Sequence, residues 1–89
     1  MNLKNFSKDI DTRVRKFGNE YYLLAKGKVY LLNYLGAVVL KYINTDIDLE
    51  ELANKINSVF MEQDIKMIEE DIKNFISFLL NEGIVCKIE

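Results

Sequence analysis

The sequence predicts an α+β domain in which a three-stranded antiparallel sheet is followed by three helices. Three observations carry this reading. Between residues 12 and 32, three runs rich in β-branched and aromatic residues are separated by the two-residue turn signals Gly18-Asn19 and Lys26-Gly27. At Asn33, directly after the third run, the apolar period changes from two to about 3.6. Three helical segments then follow, each opened by a residue able to cap it: Asn33, Asp48 and Asp64.

In order, residues 1–11 are expected to form a loosely held arm, because nothing within that segment could bury Leu3, Phe6 and Ile10 together. Residues 12–89 then form the single domain. Its strands run from Thr12 to Phe17, Glu20 to Ala25 and Lys28 to Leu32. If both turns have two residues, Val14, Tyr21, Leu23, Tyr30 and Leu32 share one face of the sheet. Arg13, Arg15, Tyr22, Leu24, Val29 and Leu31 share the other, and a one-residue slip in either turn exchanges the two sets.

The first helix is expected from Tyr34 to Ile43, with Gly36 and Ala37 leaving its first turn open to close approach by another backbone. It should break at Asn44-Thr45. The second begins at Leu49, with Asp48 and Glu51 as an Asp variant of the capping box, and its stripe is Leu49, Leu52, Ala53, Ile56, Val59 and Phe60. The third runs from Ile65 to Glu82 and stops at Gly83. Its stripe is Ile65, Ile68, Ile72, Phe75, Ile76 and Leu79. Met67 and Phe78 lie beyond one edge of that stripe, flanking Asp71, and form an apolar shoulder. That shoulder is either open to a ligand or packed on the first helix or the arm. Residues 84–88 are a final extended piece.

Composition narrows the function. Eighty-nine residues, 49% of them hydrophobic, suit one modest core. No secretory signal is visible, and no apolar run approaches the ~20 residues that cross a bilayer, so a soluble, cytoplasmic protein with no membrane partner is expected. The single cysteine, Cys86, can form no internal disulfide, and in its apolar setting it is expected to be a buried, inert thiol. With no histidine and no Gly-rich phosphate loop, the chain lacks the parts of nucleophilic triads, common zinc sites and P-loops. No catalytic residue, metal or cofactor is therefore assigned, and a non-catalytic binding module is expected.

The third strand is an edge of the predicted sheet, so an extended peptide can add there as a fourth strand. Two or three outward hydrogen bonds from Lys28, Val29, Tyr30, Leu31 and Leu32 supply only about 1 to 4 kcal/mol. Micromolar affinity needs about −8 kcal/mol. Side-chain pockets must provide the remainder, and burying one peptide Leu or Phe contributes roughly 1.5 to 3 kcal/mol. The shoulder at Met67 and Phe78 is the candidate, with Tyr30 or Leu31 as the opposite wall, depending on register. Residues 1–30 carry seven cations against three carboxylates, whereas the rest is acidic. This suits an acidic ligand steered by Arg13 and Arg15, unless those charges are merely solvated.

The chain also resembles the PqqD-like family, the RiPP recognition elements that bind leader segments of ribosomally made precursor peptides. Three pieces carry the resemblance over about sixty residues: Leu32-Asn33-x-x-Gly36-Ala37, Leu49-Glu50-Glu51-Leu52-Ala53, and Asp71-Ile72 followed by Phe75, Phe78-Leu79, Glu82-Gly83 and Ile84-Val85. It departs at Tyr34-Leu35, where the family more often has short polar residues. The resemblance implies a winged-helix-like domain whose third strand pairs with the leader, which also rests on the third helix. It implies a separate modifying enzyme as partner, a radical SAM maturase or a leader peptidase. By helical geometry the helix contacts are Met67, Asp71, Asn74, Phe75 and Phe78.

Two other classes compete. A winged-helix DNA-binding regulator would use the third helix, but Asp64, Glu69, Glu70, Asp71 and Glu82 outnumber Lys66 and Lys73 there, and phosphate contact calls for cations. No nucleic-acid partner is expected. The other class is a dimerising interaction domain, a homodimer paired through the same edge strand.

Overall fold

The computed structural model describes residues 1–60 and 64–88, with the burial of Phe60 outside that description. Among the described residues five strands and three α-helices follow a short 3-10 turn at Leu3–Asn5: β1 (Phe6–Lys8), β2 (Arg13–Phe17), β3 (Glu20–Ala25), β4 (Lys28–Leu32), α1 (Tyr34–Tyr42), α2 (Leu49–Phe60), α3 (Ile65–Asn81) and β5 (Val85–Lys87). The predicted three-stranded antiparallel sheet is β2-β3-β4, so the predicted third strand is β4.

Both hairpin turns have two residues. Gly18 at φ 61 opens the first, and Lys26 at φ 54 with Gly27 at φ 72 makes the second a type I′ turn, whose twist matches that of the strands. The register follows from them: Val14 pairs with Leu23 and Leu23 with Tyr30, while Tyr21 pairs with Leu32. Leu23 and Leu32 are buried with Val14, Tyr21 and Tyr30 packed beside them, and Val29 and Leu31 are exposed on the other face. The face assignment expected from two-residue turns therefore holds.

Each helix begins where its cap places it. The side chains of Asn33, Asp48 and Asp64 accept from the N–H groups of Gly36, Glu51 and Lys66 at 2.8, 2.9 and 2.9 Å. Asn44, at φ 68, ends α1, and Gly83, at φ 71, ends α3, where the N–H of Ile84 reaches the carbonyl of Leu79. Ile68, Ile72, Ile76 and Leu79 of α3 close over Leu52, Ala53 and Ile56 of α2 and over Val39 and Leu40 of α1 in one core. Val59 departs from its expected place in the α2 stripe and is exposed.

The arm is the main correction. Residues 1–11 are not loosely held: β1 pairs with β5 in a second, two-stranded sheet, and Leu3 and Phe6 are buried in the core. The Leu3 N–H donates to Ile47, and the Asn44 N–H donates back to Leu3. Their partners lie forty or more residues away, so no local pattern announces them. Ile10 stays exposed at the turn into β2. Cys86, expected to be buried, faces outward on β5 opposite Ser7, since a two-stranded ribbon covers only one of its faces.

Candidate functional site

β4 is a free edge. It pairs with β3 on one side, and among the described residues no strand pairs with its other side. In a two-residue hairpin the residues flanking the turn exchange both hydrogen bonds, and pairing then alternates along the strands. Lys28, Tyr30 and Leu32 therefore bond to Ala25, Leu23 and Tyr21, whereas the N–H and C=O groups of Val29 and Leu31 point outward.

Beside this edge lies an aromatic shelf. The side chain of Tyr30 faces α3, where its ring meets Phe78 edge-on with centroids 5.8 Å apart at 83°. Phe78 in turn stacks on Phe75 at 6.2 Å. The Tyr30 hydroxyl donates to Glu82 Oε1 at 3.2 Å, bridging β4 to the end of α3. Desolvation first, and the hydrogen bond and charge of Glu82 second, hold the Tyr30 phenol above its ordinary pKa. A Cβ on Gly36 would stand 3.2 Å from the Phe75 ring, so the bare first turn of α1 makes room for that ring. Towards the end of β4 an open hollow of about 730 Å³ continues the shelf between Tyr21, Leu32, Asn33, Tyr34 and Phe75.

The structure brings together Tyr30, Phe75 and Phe78 of the expected site, and it makes Tyr30 rather than Leu31 the wall opposite α3. Leu32 is buried in the core at the end of β4. Val29 and Leu31 present backbone to the edge but turn their side chains to the outer face of the sheet. Met67 and Phe78 are both uncovered, at 60% and 39% exposure. They do not form one pocket, since eleven residues of helix separate them by about 16 Å. Asp71 and Asn74 are exposed between them, and Lys28 is exposed at the start of β4. Glu82 was not expected in the site. It lies fifty-two residues from Tyr30, and nothing local couples the two.

Arg13 and Arg15 do not line this groove. They sit on the outer face of β2, the opposite edge of the sheet, with their guanidinium groups turned onto backbone carbonyls of Ile10, Thr12 and Val14. Charge along the α3 side is acidic, from Asp71 and Glu82. Among the described residues no group of three His, Cys, Asp or Glu side chains is placed to hold a metal. No described helix is long and apolar enough to cross a membrane.

Residues 9–85 match the family model described as coenzyme PQQ synthesis protein D (PqqD). A search of curated proteins finds no match. Two solved structures share the fold. One is the solution NMR structure of the PqqD truncation of Methylobacterium extorquens PqqCD, described as a functional, stand-alone RiPP recognition element. It is 20% identical, with a TM-score of 0.76, over 92% of this chain and 88% of that one. The other is TbiB1 in complex with the TbiA(beta) leader peptide, at 18% identity and a TM-score of 0.69, over 89% of this chain and 93% of that one. With its edge strand, capped helices and closing segment all inside the matched stretch, the chain belongs to the PqqD family.

Proposed function

We propose that this protein is a non-catalytic recognition element that captures the leader segment of a ribosomally synthesised precursor peptide and presents it to a separate modifying enzyme, a radical SAM maturase or a leader peptidase. The observation that carries the proposal is the free β4 edge beside the Tyr30–Phe78–Phe75 shelf. The edge supplies direction and register through Val29 and Leu31. The shelf supplies the apolar burial that a few exposed hydrogen bonds lack, since one Leu or Phe placed there is worth roughly 1.5 to 3 kcal/mol. TbiB1 has this fold and holds a leader peptide.

In this reading the peptide contacts are Lys28 to Leu32 on β4 and Met67, Asp71, Asn74, Phe75 and Phe78 on α3. Acidic leader residues fit beside Lys28, away from Asp71 and Glu82. A homodimer paired through β4 would occupy the same edge and compete with the peptide. The site of action is the cytoplasm, where precursor peptides are made and modified.

The test is an amide NMR titration of the labelled protein with the leader peptide of a precursor encoded beside its gene, and separately with a DNA duplex. Shifts concentrated at residues 28–32 and along the Phe75 and Phe78 side of α3, with peptide only, are expected. Shifts centred on α3 with DNA, or no response to leader peptides, would overturn the reading.

A further inference from the structure

Strand addition beside the aromatic shelf leaves one set of side chains on β4 without a role. On the outer face of the sheet, the register aligns Arg15, Tyr22 and Leu31 in one row and Arg13, Leu24 and Val29 in the next. Each row runs from an arginine on β2, through a half-buried residue on β3, to an aliphatic side chain on β4 that is 66% exposed. Natural edge strands are commonly blunted by charge or proline. On β4 the one charge is Lys28, at the start of the strand and on the other face. Both rows thus end in uncovered apolar surface where a fourth strand would arrive.

Resting on the leader-capture reading, we infer that the side chains of Val29 and Leu31 form a second recognition row, so that the peptide is read on both faces and its bound segment carries three consecutive apolar residues. Side chains alternate along a strand, so the peptide residues opposite Val29 and Leu31 both project to the outer face, and the one between them projects to Tyr30 and Phe78. Directly opposed Cβ atoms lie about 4.5–5.5 Å apart, within reach of aliphatic and aromatic contact. The middle residue fills the shelf. Its two neighbours extend the rows through Tyr22 and Leu24 to a fourth strand. A peptide that alternates apolar with charged residues satisfies the shelf and leaves Val29 and Leu31 facing charge. The class of ligand selected is therefore a short, continuous run of aliphatic, β-branched or aromatic residues.

The test uses the full chain and three synthetic nine-residue peptides on a Thr/Lys background, with central triplets Val-Leu-Val, Ser-Leu-Ser and Val-Ser-Val, titrated by amide NMR. Val-Leu-Val should bind about 2- to 30-fold more tightly than Ser-Leu-Ser, the range that two cross-strand apolar pairs provide. In the Val29→Thr/Leu31→Thr double variant that preference should fall below about twofold, because threonine retains strand propensity while giving up the aliphatic contact. The single variant Leu31→Thr serves if the double variant does not keep the wild-type amide spectrum. Equal affinities in the wild type, or a preference that persists in the variant, would overturn the second row while leaving leader capture intact. If no peptide shifts residues 28–32, strand addition itself fails and the inference falls with it. Shifts at those residues on raising protein concentration alone would make a second copy of the chain the occupant of the edge, which also overturns it.

Discussion

The Tyr30 ring stands edge-on against Phe78, 5.8 Å from it and at 83°, across forty-eight residues of sequence, and this contact joins the free strand to the third helix. It leaves Phe78 39% exposed, so the ring is held in place without being consumed by the core. Truncating it removes the shelf more than it removes stability. Phe78→Ala should weaken leader binding by more than about 1 kcal/mol, roughly fivefold or more, while the protein keeps its fold. Calorimetric titration of the variant beside a thermal melt checks both halves, and unchanged affinity would take Phe78 out of the site.

The alternation along β4 separates binding from folding at adjacent residues. The Val29 and Leu31 N–H groups point outward, whereas Tyr30 bonds to Leu23. Proline lacks that N–H and is tolerated on the free side of an edge strand. Val29→Pro or Leu31→Pro should abolish peptide binding with a modest loss of stability. Tyr30→Pro should instead break the β3–β4 ladder and destabilise the whole domain. Urea denaturation of the three variants distinguishes these outcomes.

Much of this frame is legible in the sequence because it is set locally. Gly18-Asn19 and Lys26-Gly27 fix two hairpins, the hairpins fix the register, and the register decides which backbone groups are free. Asn33, Asp48 and Asp64 announce the helices by bonds spanning two or three residues. What is not legible is set by distance. Leu3 reaches Ile47 and Asn44, β1 finds β5, and Tyr30 finds Glu82, and in each case the signal lies in the partner rather than in the pattern. The angle of Phe78 on α3 places it beyond the core stripe but leaves open whether the first helix or the arm covers it. Its separation from Met67 was lost in a view that projects the helix along its axis.

Gly36 is where a small change should reach the site without unfolding the domain. An added Cβ meets the Phe75 ring at 3.2 Å, the Asn33 side chain at 3.2 Å and Leu32 at 3.3 Å. Phe75 is only half buried and can yield towards the groove. Alanine also gains about 1 kcal/mol of helix propensity over glycine, which offsets part of the crowding. Gly36→Ala should therefore change stability by less than about 1 kcal/mol yet displace the Phe75 and Phe78 rings. Their aromatic resonances should move, and leader affinity should fall.

The Tyr30–Glu82 bond predicts a pH dependence of definite sign. Its donor is the neutral phenol, whose pKa is raised by desolvation and by Glu82. The bond is therefore in place below the ordinary phenol value of about 10 and is lost as pH rises through the higher value of the folded protein. In a pH titration followed by tyrosine ring carbon shifts, Tyr30 should ionise above the ordinary phenol value. Glu82→Gln should lower its midpoint without restoring the ordinary one, because desolvation remains. A midpoint that does not move in that variant would show that the carboxylate adds nothing at the phenol.

The N-terminal segment offers the sharpest contrast between sequence position and structural role. Leu3 is completely buried and Phe6 nearly so, while Ile10, in the same segment, is 83% exposed. Deleting most of a buried leucine costs about 2 to 5 kcal/mol, a large share of the roughly 5 to 15 kcal/mol that holds a small domain together. Leu3→Ala should lower the urea midpoint severely, and Ile10→Ala should leave it within about 0.5 kcal/mol of the wild type. Should the two behave alike, the segment would be an appendage after all. A large difference makes the N-terminal segment part of the domain, because Leu3 and Phe6 seal the same core that positions α3 against the open strand.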